Sequence, residues 1–362
     1  MKVLFISYGR GGLYENKAGV LDRHKTYAKH FDSIEIIYLT KKKLEYKDFG
    51  RLKITPIYGK SYLICLIKAL FRDYRTFQIV TTQDPFLTAI LGLFYKMKFG
   101  IKLHIQNHSN FIDNKFWIKE NVFINSTLNF IAKKITIPQA HRLRVVNSYE
   151  KQMYIDKIGI NEFLIDVAPI SLNPVFFKKI TKKEILNFQT KHKLNKNCFK
   201  IGWAGRFVRL KRLDYLFELS GLLAKKLDIQ LILAGDYTVS DYNFKDLEKA
   251  NNLNPIYTGL LSPGELAKFF KSIDVFVLTS EYEGYGMVLA ESLKSHTRIL
   301  ISDKSKGTDD IIDNSDYAFK FSSSNDFVKK ILEIKNLNKK LFKNSLKPPK
   351  ISSVESIKKT IE

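Results

Sequence analysis

Short apolar runs of strand length, each followed by an amphipathic stretch of helical length, recur along the whole chain. In the first half the runs fall at 2–7, 33–39, 78–82, 102–106 and 144–147, with helical stretches at 17–30, 62–74, 85–99 and 120–134. In the second half strands are expected at 200–204, 230–234, 273–278, 298–302 and 317–321, and helices at 213–226, 263–271, 287–294 and 325–334. Strands that are apolar throughout, rather than alternating, suit a parallel sheet covered on both faces. Regular strand–helix alternation makes an α/β, doubly wound architecture the default. At 362 residues the chain exceeds one ordinary domain of roughly 100–200 residues, and two domains are expected. The break falls in 169–177, where Pro169 and Pro174 restrict the backbone ahead of a lysine-rich stretch at 178–200. A second break, KPPK at 347–350, precedes Ser352, Ser353 and Glu355, which read as a helix cap with a carboxylate in the first turn. The expected division is therefore 1–172, 173–346 and a terminal helix in 347–362. Two doubly wound domains imply a ligand cleft between the carboxyl ends of two sheets.

Composition removes several classes. The most apolar windows, 61–71 and 86–95, stop near ten residues, short of the ~20 that span a bilayer. The amino terminus turns glycine-rich too early for the apolar region of a signal peptide. Cys65 and Cys198 are the only cysteines, too few and too far apart for a disulfide framework or a thiolate zinc site. They read as two core thiols in a reducing cytosol. Sixty Lys and Arg against 36 Asp and Glu give a formal charge of +24, spread over both halves. Lysine greatly outnumbers arginine, whereas base readers lean on the planar arginine fork, so nucleic acid is disfavoured. No zinc-finger, helix-turn-helix or RNA-recognition signature is present. Compositional drift and an anionic membrane face remain as explanations of the charge.

Four segments carry candidate chemistry. The strongest runs from Ser280 to Glu291 (SEYEGYGMVLAE), directly after a strand. A glycine-bearing strand-to-helix turn presents open N–H groups to an anion, and carboxylates such as Glu283 and Glu291 suit sugar or ribose hydroxyls. Their eight-residue spacing, about two helical turns, lets both face one crevice. The second segment, GRFVRLK from Gly205 to Lys211, also follows a strand and sets Arg206 and Lys211 across a turn, where they would neutralise a diphosphate. The sequence contains no Asp-x-Asp pair of the kind that holds a divalent metal on a sugar nucleotide. The third segment, GRGG from Gly9 to Gly12, is a phosphate-cradle candidate but departs from the dinucleotide fingerprint at Tyr14. No acid follows the second strand to hold a ribose, so a nicotinamide cofactor is disfavoured. The fourth segment, 103–110, contains His104, read as a core histidine, and His108, past the strand end with access to a cleft.

Together these segments resemble the group 1 (family 4) retaining glycosyltransferases, whose GT-B fold has two Rossmann-like domains facing a central cleft. The match is densest from Ile201 to Ile312. Gly205 to Lys211 resembles the family's G-R-x4-K, LILAGD at 231–236 its strand and Gly-Asp turn, and YTG at 257–259 with SPGEL at 262–266 its next turn and helix. DVFVLTS at 274–280 and the span Glu283 to Glu291 resemble the defining strand and E-x7-E element. In the first half, Gly11-Gly12, QNHS at 106–109 and RVVNS at 144–148 are similar to the family's glycine loop, histidine turn and strand-to-helix segment. Residues 352–361 resemble its terminal helix, which crosses back to the first domain. The sequence departs from the family where Lys-Gly becomes Lys211-Arg212, where LKSHTR at 293–298 lacks a glycine, and at Gly307 to Asp310.

The resemblance implies roles. Arg206 and Lys211 would hold the diphosphate, Glu291 the ribose and Glu283 the transferred sugar. Tyr285, Gly286, Met287 and Val288 would offer backbone N–H groups, His108 would touch a donor-sugar hydroxyl, and Gly11, Gly12, Gly205 and Leu260 would line the substrate site. The expected activity is metal- and cofactor-independent transfer, with retention, of a hexose or N-acetylhexosamine. The donor would be a nucleoside-diphosphate sugar, with UDP favoured, and the acceptor a glycan or lipid-linked glycan in cell-surface polysaccharide synthesis. The expected location is cytoplasmic, with peripheral contact to an anionic membrane. A non-catalytic partner subunit, or a phosphorylase or epimerase of the same fold, are the alternatives.

Overall fold

The computed structural model describes residues 1–9, 12–15, 20–109, 111–312, 315–337 and 354–361. The chain divides into two compact units, Met1–Ser171 with Ser352–Glu362, and Leu172–Ile351. The KPPK break, the Ser352–Ser353 cap and Arg10 and Gly11 of the first glycine loop lie outside the described residues.

The first unit holds, in chain order, β1 (Lys2–Tyr8), α1 (Val20–Ala28), β2 (Ser33–Thr40), β3 (Lys47–Asp48), β4 (Leu52–Tyr58), α2 (Tyr62–Leu70), β5 (Ile79–Thr82), α3 (Leu87–Phe99), β6 (Lys102–Gln106), α4 (Lys115–Glu120), α5 (Val122–Ile131), β7 (Arg142–Val145), α6 (Ser148–Ile158) and β8 (Ile165–Val167). Its sheet order is β3-β4-β2-β1-β5-β6-β7-β8, parallel except for the two-residue β3. The second unit holds α7 (Lys182–Lys191), β9 (Phe199–Ala204), α8 (Leu213–Ala224), β10 (Ile229–Ala234), α9 (Phe244–Asn251), β11 (Ile256–Gly259), α10 (Pro263–Ser272), β12 (Val275–Leu278), α11 (Met287–Lys294), β13 (Ile299–Ser302), α12 (Asp309–Ile312), β14 (Ala318–Phe321) and α13 (Ser324–Asn336). Its sheet is parallel with order β11-β10-β9-β12-β13-β14. The last helix, α14 (Val354–Ile361), belongs to the first unit, where Ile361 is buried among Val3, Phe5 and Ile34.

In both sheets the chain steps outward from a central strand, then returns to that strand's other side. The order reverses between β1 and β5 and between β9 and β12, and ligands of open α/β sheets bind beyond the carboxyl ends at such a point. Burial of both sheet faces follows from the apolar strands: every residue of β9, β12 and β13 is buried. Trp203, Phe217, Phe276 and Phe327 are fully buried in the second unit. Each such side chain contributes on the order of 2–3 kcal/mol by leaving water.

The structure corrects several expectations. The strand expected at 144–147 is β7, Arg142–Val145, because Asn147 leaves the ladder to cap α6, accepting from Glu150 N at 2.7 Å. The helix expected at 120–134 is α5, continued by a π-helical turn at Ala132–Thr136 and capped by Asn121, which accepts from Ile124 N at 3.1 Å, whereas the short α4 ahead of it was not expected. Strand β4 was not expected, since Pro56 lacks the N–H a central strand needs. Pro56 is tolerated because β3 pairs only Lys53 and Ile54 on that side. The lysine-rich stretch after the hinge contains α7, fixed by a capping box in which Thr181 and Glu184 bond each other's backbone N–H. Cys65 is a core residue, but Cys198 is half-buried ahead of β9 with its thiol on Asp228 at 3.1 Å, so it is no core thiol.

Candidate active site at the switch point of the second sheet

Strands β9 and β12 are neighbours at the switch point, and each feeds a loop into a helix. After β9 the chain runs through Gly205 and Arg206 into a tight turn at Arg209–Lys211 and then α8. After β12 it runs through Ser280 to Gly286 into α11. The loops are stitched together: Thr279 Oγ1 donates to the Lys211 and Arg212 carbonyls at 3.0 Å, and Glu281 N to Leu210 O at 3.0 Å.

Lys211 Nζ lies 2.6 and 2.8 Å from the two oxygens of Glu283, and Ser280 Oγ donates to the first at 2.7 Å. The pair is nearly buried, with the two side chains 12% and 8% exposed. Glu283 precedes α11, as expected, and its carboxylate is engaged by Lys211. Glu291, one turn beyond Val288 on α11, has no hydrogen-bond or ion-pair partner among the described residues. Burial alone raises its carboxyl to about 7.

Gly286, at φ 73°, caps α11 without a side-chain acceptor. The left-handed backbone explains the glycine, and the first turn of a helix has no internal acceptors for its N–H groups. Met287 and Val288 open that turn, while Tyr285 is buried, its phenol pushed up to about 12 by burial. Beside the helix start lies a cavity of about 580 Å³, bounded by Gly205, Arg206, Gly235, Leu260 and Val288. Arg206 and Leu260 are exposed on its rim, and Arg206 has no ion-pair partner among the described residues. Gly235 was not anticipated as a site residue. At φ 145° its missing Cβ would stand 2.1 Å from Gly205 O, so a side chain there would push the two loops apart. The LILAGD segment carried that signal.

Arg212 replaces the glycine of the family pattern and adopts φ 49°, the left-handed region a glycine favours. Its guanidinium bonds Glu281 and lies 3.1 Å from Asp214. The departure is thus accommodated by two ion pairs.

In the first unit, His108 lies beyond β6 and lines a smaller cavity with Arg144 and His24. Asn107 holds its turn through Ser109 O at 2.8 Å and through the buried Glu150 and Tyr154, none of which the sequence had marked. His104 is buried, with Nδ1 2.7 Å from Thr81 Oγ1, as a core histidine should be. Gly12 stands in a turn with open space beside it, and Gly11 lies outside the described residues. Among the described residues no group of three or more His, Cys, Asp or Glu side chains could hold a metal ion, and no helix is long and apolar enough to cross a membrane.

Residues 184–345, most of the second unit, match the family model for glycosyl transferases group 1. A curated relative, the poly(ribitol-phosphate) alpha-N-acetylglucosaminyltransferase of Staphylococcus aureus, is 27% identical over 243 residues, covering 66% of this chain and 44% of that protein. The chain spans less than half the length of the curated relatives it matches first. Among solved structures, Anabaena HepE in complex with UDP and glucose superposes over 100% of this chain and 98% of its own, with a TM-score of 0.73 at 13% identity. The lipopolysaccharide outer core galactosyltransferase WaaB superposes over 100% and 94%, with a TM-score of 0.64 at 18% identity. At such identities the likeness is one of fold, and the fold is that of the GT-B glycosyltransferases.

Proposed function

With a second unit that belongs to the group 1 glycosyl transferases, we propose that this chain is a retaining, metal-independent glycosyltransferase acting on a nucleoside-diphosphate sugar. The observation that carries the reading is the assembly at the β9–β12 switch point. There Arg206, with no ion-pair partner among the described residues, and Val288 in the first turn of α11 line one cavity, and the buried Lys211–Glu283 pair joins the two loops that lead to it. The diphosphate sits against Arg206, Lys211 and the N–H groups of Met287 and Val288, which take up charge as it departs. Glu283 orients Lys211 and accepts from sugar hydroxyls, while Glu291 accepts from the ribose. The acceptor oxygen bonds to the anomeric carbon as the carbon–oxygen bond to the β-phosphate breaks, both on one face. A leaving-group oxygen takes the acceptor proton, so no side chain is required as general base.

The UDP bound in HepE supports UDP as the donor's nucleotide, and the alpha linkage named for the staphylococcal relative supports retention from an α-linked donor. That relative and the lipopolysaccharide transferase support a hexose or N-acetylhexosamine passed to a cell-surface glycan. Contact with an anionic membrane, from the cytoplasmic side, is supported by the +24 charge and by exposed apolar side chains beside lysines. Thermal stability with UDP, UDP-glucose, UDP-N-acetylglucosamine and GDP-mannose, with and without magnesium, tests the site. Stabilisation by one nucleotide family without metal, lost in Arg206→Ala, is expected. If none of the four stabilises the chain, a non-catalytic partner subunit becomes the better reading. Release of a sugar 1-phosphate would instead identify a phosphorylase, and isomerised donor an epimerase.

A further inference from the structure

The carboxyl edge of the first sheet contains a cavity of about 190 Å³ beneath α1, of whose polar groups the transfer chemistry claims only His108. Its polar lining is Arg23, His24 and Tyr27 of α1, Gln83 after β5, Gln106 ending β6, His108 beyond it, and Arg144 of β7. Among the described residues no carboxylate lines it. Of the acids nearest in sequence, Asp22 is exposed on α1, Asp84 accepts from Phe86 N and Thr88 Oγ1, both at 2.7 Å, and Glu150 bonds Asn107.

Arg144 is 3% exposed, and every acceptor it meets is neutral: Ala168 O and Pro169 O at 3.0 Å and Gln106 Oε1 at 2.6 Å. A guanidinium has five N–H donors, and these contacts leave two of them for the cavity. A buried cation is ordinarily paired, since burying an unmatched charge is costly. Arg23 brings a second cation to the same space, and His108 has a buried Nδ1 with no partner. Burial, reinforced by the two arginines, lowers His108 to about 3, so its ring is neutral and can donate one hydrogen bond without adding charge. The volume admits a tetrahedral oxyanion with a few waters, each of which takes about 30 Å³ in the liquid.

We propose that this cavity binds a phosphate-sized oxyanion, held by Arg144 and Arg23 and by a hydrogen bond from His108. The oxyanion is either free phosphate or a phosphate group carried by the sugar acceptor. The site stands on the geometry of the first unit, and only its assignment to the acceptor rests on the transferase reading.

The test uses the full chain with labelled histidines, titrated with inorganic phosphate and with glucose 1-phosphate, following the ring resonances of His108 and His24. Saturable shifts are expected, with affinity reduced at least tenfold in Arg23→Gln and binding abolished in Arg144→Met. Diffuse binding to surface lysines would be indifferent to both substitutions, and that result overturns the proposal. Arg23 lies half-buried on α1, so its substitution stays informative if Arg144→Met does not fold. Tighter binding of the sugar phosphate than of phosphate assigns the cavity to the acceptor, and the reverse assigns it to free phosphate. UDP-glucose binding by the same samples reports on the second unit alone, so failure of the transferase reading would appear there and not in the phosphate arms.

Discussion

Glu291, on α11, has a carboxyl raised to about 7 by burial and no partner among the described residues to stabilise its ionised form. Its folded pKa lies above the unfolded value, so the unfolded chain binds fewer protons between pH 4.5 and 7 and stability falls as pH rises through that window. Glu291→Gln should match the parent near pH 4 and exceed it at pH 8 by on the order of 3 kcal/mol, read by urea unfolding at the two pH values. The same ionisation favours ligand binding, because the carboxylate accepts ribose hydroxyls better than the acid does. UDP-glucose, whose phosphates do not titrate here, should therefore bind more tightly at pH 8 than at pH 6, and Glu291→Gln should flatten that profile. A parent profile flat across this range would contradict a ribose role. The types of residue at the site were legible in the sequence, but their pairing was not. Lys211 and Glu283 lie in different loops, and only the β9–β12 adjacency brings them together. The uncompensated charge of Arg144 was equally invisible, because burial without a counter-ion is a property of the fold.

At the scale of elements, the turn between β9 and α8 shows how a departure from a family pattern is absorbed. A non-glycine residue at φ 49° costs ~1–2 kcal/mol, and half-exposed ion pairs return ~0.2–1 kcal/mol each. Arg212→Ala should thus lower stability by ~1 kcal/mol, having lost the pairs and kept the strain. Arg212→Gly should lie within ~0.5 kcal/mol of the parent, since relief of strain offsets the lost pairs. Chemical unfolding of the two variants checks this, and an alanine variant as stable as the glycine one would refute it. Most strands and helices were readable, because apolar runs and helical periodicity survive in the sequence. Those misread each had a local cause. Pro56 masked β4, Asn121 separated the unexpected α4 from the expected helix, and a lysine-rich composition concealed α7. The Thr181–Glu184 capping box was visible in the sequence and would have revealed α7.

At the scale of the molecule, the charge of +24 is joined by apolar side chains on the first unit's surface. Helix α2 exposes Leu63, Ile64 and Ile67, with Phe71 just after it, and α5 exposes Val122, Phe123, Ile124 and Phe130. Apolar groups beside lysines suit an anionic bilayer face, the expected position for a transferase with a lipid-linked acceptor. Binding to vesicles containing anionic lipid should exceed binding to neutral vesicles at low salt and fall at least tenfold at 0.5 M salt. Leu63→Ser with Phe71→Ser should weaken it further. Equal binding to both vesicle types, or none to either, would leave the charge as drift in composition.

A transferase of this design must bind the diphosphate of its sugar nucleotide at the β9–β12 switch point of the second sheet. Calorimetric titration of the full chain with UDP-glucose at pH 8, beside Arg206→Ala and Lys211→Ala, tests it most directly. One site per chain is expected, independent of magnesium and weakened at least tenfold by either substitution. Equal affinity in all three proteins would place the nucleotide elsewhere and contradict it.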